Sequence, residues 1–247
     1  VSTRLGLAGS PGASEVVGVA RDLAIAELTR GRLHLAHLST GASIDLVRRA
    51  KRRGIRVTAD VSPLHLFLTD DAVVGYDTAA KTVPPLRPQS DVDAAIGGLE
   101  DGTIDAVATH HVPQTALDKN VEFDRAAAGA IGLETTLSLL LELVARGRLS
   151  FTRAIESLTT GPSRVLGQSQ FGALRVGGVA DLTVVDLEER WTYGRTNIRS
   201  RSENSPLVGC VLMGRATLTI AGGHIIYEQG VGEGRAEDSS EVPRDGR

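Results

Sequence analysis

Residues able to do chemistry stand at the ends of three short apolar runs. Thr103-Ile104-Asp105-Ala106-Val107-Ala108-Thr109 breaks off into His110-His111, followed by Val112-Pro113-Gln114. Leu33-His34-Leu35-Ala36 runs into His37 and then Leu38-Ser39-Thr40, and Ile55-Arg56-Val57-Thr58-Ala59 runs into Asp60-Val61-Ser62-Pro63. Imidazoles and a carboxylate are the groups used for metal ligation and general acid–base work. An apolar run that breaks into titratable side chains is the pattern of a parallel barrel strand feeding an active-site loop, because such barrels keep their chemistry at the C-terminal strand ends. The three ends are therefore expected to face one pocket. Neighbouring residues on a strand point to opposite faces, so only one of His110 and His111 reaches the pocket centre, and position favours His110. The same alternation puts His34 on the face away from His37, as packing. His65 reads as loop packing, Asp60 and Glu134 as structural polar groups, and Glu122-Phe123-Asp124 as a solvated loop. Gly177-Gly178 reads as a turn rather than a phosphate cradle, and the run Ser200 to Asn204 as a loop with no nucleophile context.

The elements that must position these residues alternate. Helical spacing of Val16, Val17, Ala20, Leu23, Ala24 and Leu28 predicts a helix from Ser14 to about Arg30, stopped at Gly31. A strand Leu33–Leu38 follows, then a helix Ser43–Arg53 with Ile44, Val47 and Ala50 inward, Arg48, Arg49, Lys51 and Arg52 on a solvated outer face, and Gly54 as its stop. Strand Ile55–Val61, a long loop containing Lys81 to Arg87, helix Gln89–Leu99 and strand Ile104–Thr109 complete the pattern. Strands alternating with helices predict a parallel sheet with crossover helices. Helices Leu133–Arg146 and Phe151–Leu158 and a short one opened by Gly161-Pro162-Ser163 come next. From Phe171 the texture turns to short strands, Ala180–Asp186, Cys210–Met213, Ala216–Ile220 and His224–Tyr227, joined by glycine-containing turns. The predicted layout is an α/β barrel part over residues 1–170, a small β-sandwich module over 171–229, and a disordered tail from 230. Only three barrel strands are present, and a closed (β/α)8 barrel takes roughly 250 residues by itself. The rest of the barrel is expected upstream of Val1, and a start at Val1-Ser2-Thr3 without an initiator methionine is read as a fragment or cleaved product.

Composition narrows the class. With 41% apolar and 23% charged residues and a net charge of −3, the 247-residue chain reads as globular and offers no electrostatic reason to bind nucleic acid. No apolar run is long enough to predict a membrane span. The single cysteine, Cys210, cannot close an intrachain disulfide, which fits a reducing cytoplasm. No signal peptide is legible.

In order and spacing the chain resembles the C-terminal part of dihydroorotase, of the long bacterial type within the amidohydrolase superfamily. His34-Leu35-Ala36-His37-Leu38-Ser39-Thr40 is similar to the strand-six motif of that family. Val57-Thr58-Ala59-Asp60-Val61-Ser62-Pro63-Leu64-His65-Leu66 resembles Val-Thr-Ala-Glu-Val-Thr-Pro-His-His-Leu, and Lys81-Thr82-Val83-Pro84-Pro85-Leu86-Arg87 resembles Lys-Met-Asn-Pro-Pro-Leu-Arg. Asp105 to Gln114 resembles Asp-Ala-Ile-Ala-Thr-Asp-His-Ala-Pro-His, Gly132-Leu133-Glu134-Thr135 matches as it stands, and Gly177–Asp186 and Ser202–Pro206 resemble the β-sandwich segment. The resemblance implies a TIM-type barrel, zinc as cofactor, and hydrolysis of dihydroorotate to carbamoyl aspartate in pyrimidine biosynthesis.

It also implies site residues, and here the chain departs from the pattern. His37 occupies the strand-six metal-ligand position. His110 stands where the family has the aspartate that ligates metal and shuttles the proton. Val83 replaces a substrate-binding asparagine and Gln114 a substrate-contacting histidine, and Ala128-Gly129 replaces a Phe-Gly pair. A metal-bound histidine is neutral and cannot also take the proton that a carboxylate would. These substitutions lead to the expectation of a catalytically impaired, oligomeric homologue that scaffolds aspartate carbamoyltransferase. The alternative is an active cyclic-amide hydrolase with a rearranged site.

Overall fold

The computed structural model describes residues 1–168 and 170–230. The expected disordered tail lies, past Gly230, outside the described residues. The chain runs α1 (Ser2–Leu5), α2 (Gly12–Thr29), β1 (Leu33–Leu35), α3 (Gly41–Arg52), β2 (Val57–Val61), α4 (Pro63–Phe67), α5 (Gln89–Glu100) and β3 (Ala106–Val107). It continues through α6 (Ala116–Lys119), α7 (Thr136–Ala145), α8 (Phe151–Leu158), α9 (Thr160–Leu166), β4 (Leu182–Thr192), β5 (Val211–Ala221) and β6 (His224–Glu228).

β1, β2 and β3 form a parallel sheet in that order, with Leu33 opposite Val57, Leu35 opposite Ala59 and Val61 opposite Val107. The crossovers are α3 and α5, as alternation predicted. Sequence dictates α3 locally: the Thr40 hydroxyl accepts from the Ser43 amide at 3.3 Å, and Ile44, Val47 and Ala50 are fully buried on one stripe. Burying the two branched side chains stabilises this layer by about 1.5–3 kcal/mol each. β2 is buried on both faces at Ala59, Asp60 and Val61, as a central parallel strand should be.

Three expectations are corrected. β1 and β3 are shorter than predicted, because the chain leaves the ladder into two left-handed residues, His37 (φ 55°) and His110 (φ 49°). On α2 the buried stripe is Val19, Leu23 and Ala26, whereas Val17 and Leu28 are 69% and 84% exposed. The helix is apolar on more than one side, and periodicity alone does not say which side is covered. Third, the segments 210–213 and 216–220 are one strand, β5. Gly214 (φ 81°) bends it opposite an irregular stretch of β4, in the manner of a bulge.

The β part is a single antiparallel sheet, β4-β5-β6, closed at the β5–β6 end by Gly222-Gly223 with φ of 56° and 84°. A second sheet facing it, which a sandwich requires, is not found among the described residues. Leu64, Leu86, Ile131 and Leu139 of the barrel part share one hydrophobic cluster with Trp191, Tyr193, Leu207 and Leu212. A second, larger cluster lies beneath β1–β3.

Candidate functional site

The C-terminal ends of β1, β2 and β3 meet, and the point of contact is a pair of imidazoles. The rings of His37 and His110 stack with centroids 4.1 Å apart and planes 19° from parallel. Both carry left-handed backbone, which side chains with a Cβ adopt at an energetic cost that accumulates at functional loops.

Asp60, buried in β2, organises this corner. One carboxylate oxygen accepts the His37 backbone N–H at 2.7 Å and lies 3.0 Å from His37 Nδ1; the other lies 2.9 Å from His34 Nε2. His37 Nδ1 is buried and its N–H direction misses the oxygen, so that contact is an electrostatic approach rather than an aligned hydrogen bond. Burial raises the Asp60 pKa, but contacts from His37 and His34 outweigh it and hold the carboxyl below its usual range. His110 is pushed down by burial and by the neighbouring His37, against a smaller opposing pull from Asp60. The stacked pair therefore sits beside a carboxylate that keeps its charge.

The expected place of His34 needs correcting. It is exposed rather than packed, and bridges Thr58 Oγ1 (2.8 Å) and Asp60. Strand alternation fails here because β1 ends at Leu35. Beyond it the left-handed turn at His37 swings that ring back towards Asp60. Asp60, expected as a structural polar group, has both histidines converging on it.

His111 turns away. Its Nδ1 accepts from the amides of Gly132 (3.2 Å) and Leu133 (3.4 Å), and Nε2 lies 3.4 Å from Ser200 Oγ, so it clamps the approach to α7. Glu134 is structural too, accepting from the Arg199 and Ser200 amides and the Ser200 hydroxyl. Val83 is 68% exposed and shares a cavity of about 680 Å³ with His37, Leu38, Pro84 and Phe123. Lys81, also on that wall, is held by the carbonyls of Phe123 (2.7 Å) and Asp124 (3.0 Å), which gives that loop a partner the sequence did not disclose.

The remaining positions expected to bind substrate form a separate, closed network. The Gln114 side-chain amide donates to the Ala128 carbonyl at 3.0 Å, and the Gln114 backbone N–H donates to Asn204 Oδ1 at 3.1 Å. Asn204 Nδ2 donates to the carbonyls of Val112 and Gly129, each at 3.0 Å. Gly129 (φ 132°) donates to Lys81 O at 2.8 Å, and a side chain there would run into Val112. Asn204 is thus the hub that sequence reading passed over as loop. Its legible signal was an amide side chain in Asn-Ser-Pro, a combination that holds turns together.

His65 is fully packed, with Nδ1 2.7 Å from Ser62 Oγ and Nε2 facing the carbonyls of Pro84 (3.1 Å) and Pro85 (3.2 Å). Burial is the main cause that lowers its pKa to about 4. The folded value lies below the ordinary 6.5, so the unfolded chain binds the extra proton first. This contribution is fully present above pH 6.5 and is lost as pH falls through 4, at about 1.4 kcal/mol per unit, roughly 3 kcal/mol in all. Urea unfolding between pH 7 and 4 is expected to show this slope, and His65→Gln to flatten it; equal slopes in both proteins would refute the assignment.

The donor set bears on zinc. Among the described residues no group of three or more His, Cys, Asp or Glu is placed to hold a metal ion. His37 and His110 lie face to face rather than aiming nitrogens at a common point, and Asp60 is already engaged with two histidines. The groups of this chain alone do not fit a complete zinc centre.

Comparison with known proteins agrees with the barrel part. The chain matches the amidohydrolase family over residues 18–226. It is 50% identical over 231 residues to a protein named dihydroorotase from Anaeromyxobacter dehalogenans, covering 93% of this chain and 53% of that protein. A dihydroorotase from Endomicrobium trichonymphae is 47% identical, with 91% and 53% covered. The solved L-hydantoinase (dihydropyrimidinase) of Arthrobacter aurescens superposes with a TM-score of 0.85 at 30% identity, over 90% of this chain and 50% of the hydantoinase. The chain thus spans about half the length of the curated relatives it matches. Among the described residues no helix is long and apolar enough to cross a membrane. From the matched span, the partial α/β barrel and the similarity to dihydroorotases together, the chain belongs to the amidohydrolase family.

Proposed function

We propose that this chain is a dihydroorotase-family protein of pyrimidine biosynthesis in which the catalytic constellation is impaired, and that it acts in the cytoplasm as an oligomeric scaffold subunit for aspartate carbamoyltransferase. The observation that carries this reading is the stacked pair. The strand end that would need a carboxylate to accept a proton holds His110 instead, lying flat on His37. Loss of a positioned general base removes about 10²–10⁴-fold in rate. The substrate positions point the same way. The Gln114 amide is bound to Ala128 rather than free for a ligand, and Val83 offers no hydrogen bond.

A second reading, an active zinc-dependent cyclic-amide hydrolase with an altered site, draws support from Asp60. A carboxylate beside a histidine Nδ1 is the arrangement that fixes a metal-ligating imidazole. Elemental analysis of zinc per chain, with dihydroorotate turnover on the same sample, separates the two when made on protein that carries the whole barrel. The scaffold reading expects less than about 1% of the turnover of an ordinary dihydroorotase in protein that remains folded, and co-purification with the carbamoyltransferase. Stoichiometric zinc with full turnover would reject it and make His110 a working replacement.

A further inference from the structure

We propose that residues 114–128 form a lid on the cavity beside His37, latched by Lys81 and Lys119, which lifts as a unit and carries Phe123 away from the cavity wall. The segment leaves and re-enters the body of the protein at one place. The Gln114 side-chain amide donates to the Ala128 carbonyl at 3.0 Å and ties the two ends together. Asn204 holds that neck through the Gln114 N–H and the Gly129 carbonyl, and Gly129 N–H donates to Lys81 O at 2.8 Å beside it. A compact surface loop closed at its neck is an Ω-loop, a kind that frequently carries function. Within the loop, Thr115 and Asp118 cap α6 reciprocally and Ala127 N–H donates to the Asp118 carbonyl at 3.1 Å, so the segment keeps its own shape.

Little apolar packing fastens it. Across residues 115–128 only Lys119 and Ala126 are buried, and a segment with few buried apolar contacts opens locally at low cost. The fastening is polar and runs to the neighbouring stretch 78–81. Lys81 Nζ donates to the carbonyls of Phe123 (2.7 Å) and Asp124 (3.0 Å). Lys119 Nζ donates to the carbonyls of Thr78 and Ala127, each at 2.8 Å, and the Thr78 hydroxyl donates to the Lys119 carbonyl at 2.8 Å. Each stretch thus sends one ammonium into the other. These latches join charges to neutral carbonyls. On lifting, both the ammonium and the carbonyls regain water, so release costs far less than breaking an apolar contact of the same extent. Burial pushes the Lys119 pKa down, which weakens its hold further. Phe123 is what the lid moves. It is half-buried, lines the cavity with Val83 and Lys81, and its ring centroid lies 5.4 Å from Lys81 Nζ. Releasing Lys81 from the Phe123 carbonyl lets that ring leave the wall. The inference concerns access to the cavity and depends on neither reading of the function.

The test is amide hydrogen exchange on the full chain. The amides of Asn120, Arg125, Ala126 and Ala127, all bonded within the loop, are expected to exchange as one group, about 100-fold or more faster than those of Val47 and Ala50 in α3. Lys81→Met removes two charge-assisted bonds and should speed the group about tenfold while leaving α3 within about twofold. Lys81→Arg keeps donors at that place and should recover most of the difference. Phe123 is followed in fluorine spectra of protein made with fluorophenylalanine, its line assigned by Phe123→Leu. That line is expected to exchange between two environments, and Lys81→Met to move it towards the solvent-exposed one. Loop amides that exchange one by one overturn the proposal, and so does a Phe123 line that shows a single environment. Should Lys81→Met loosen α3 as well, these two measurements on the unsubstituted protein decide. Zinc content and turnover do not enter, so the outcome is separate from that of the scaffold reading.

Discussion

Glu15→Ala is expected to lower the unfolding free energy by about 4 kcal/mol, within the roughly 3–5 kcal/mol range for breaking one side of a buried charge pair. Glu15 on α2 accepts from the Ser39 amide (3.1 Å), the Ser39 hydroxyl, the Thr40 amide (3.0 Å) and the Thr40 hydroxyl (2.9 Å). It fills the N-terminus of α3 with negative charge, where free amides and the helix dipole favour an anion. Arg87 completes the knot, with its guanidinium 3.8 Å from Glu15 and bonded to Ser39 Oγ (2.9 Å) and the Ser10 carbonyl (2.7 Å). Removing the carboxylate leaves several buried donors without their acceptor and a nearly buried guanidinium without its counter-charge. Burial raises the Glu15 pKa, but the bonds from Ser39, Ser43 and Thr40 outweigh it and hold it below 4.5. The contribution is therefore fully present above pH 4.5 and fades as pH falls through the depressed folded value. Urea unfolding at pH 7 measures the difference, and Glu15→Gln should lose about half as much because its carbonyl still accepts. A loss under about 1 kcal/mol for Glu15→Ala would show that the loop relaxes around the gap.

Asn204→Ala should be nearly as damaging and should also loosen the site. The substitution strips the Val112 and Gly129 carbonyls of their donor and the Gln114 amide of its acceptor. Each buried polar group left unpaired costs about 1–3 kcal/mol, so about 4 kcal/mol is expected after partial repair by water. Asn204 ties loops 112–114 and 128–131 together, alongside the Gln114–Ala128 and Val112–Ala130 bonds. Their amide protons should exchange much faster while those of α3 keep most of their protection. Asn204→Asp should behave like Asn204→Ala, because a carboxylate cannot donate to either carbonyl. Unchanged exchange in both loops would mean that the backbone bonds Val112–Ala130 and Gly129–Lys81 suffice without the hub.

Sequence by itself determined the alternating part of this protein. Ile44, Val47 and Ala50 repeat at helical spacing, and β2 is apolar at Val57, Ala59 and Val61. Local patterns of that kind have one good solution, a parallel sheet with crossover helices. The order of motifs determined the family. That the strand ends bearing His37, Asp60 and His110 meet was legible, because parallel strands start at one end of a sheet and finish at the other; of the three, only His37 lines the cavity. Tertiary structure alone decided what those residues do there. Left-handed turns at His37 and His110 overrode the alternation that sequence periodicity assumes, so His34 and His37 converge on one carboxylate instead of facing apart. The stripe of α2 that is buried depended on which neighbour covers it, and a helix apolar on several sides carries no record of that neighbour. Glu15 with Thr40, and Asn204 with Gly129, are contacts across 25 and 75 residues of chain. Buried polar groups must find partners wherever the folded backbone offers them, and spacing along the chain has no bearing on where that is.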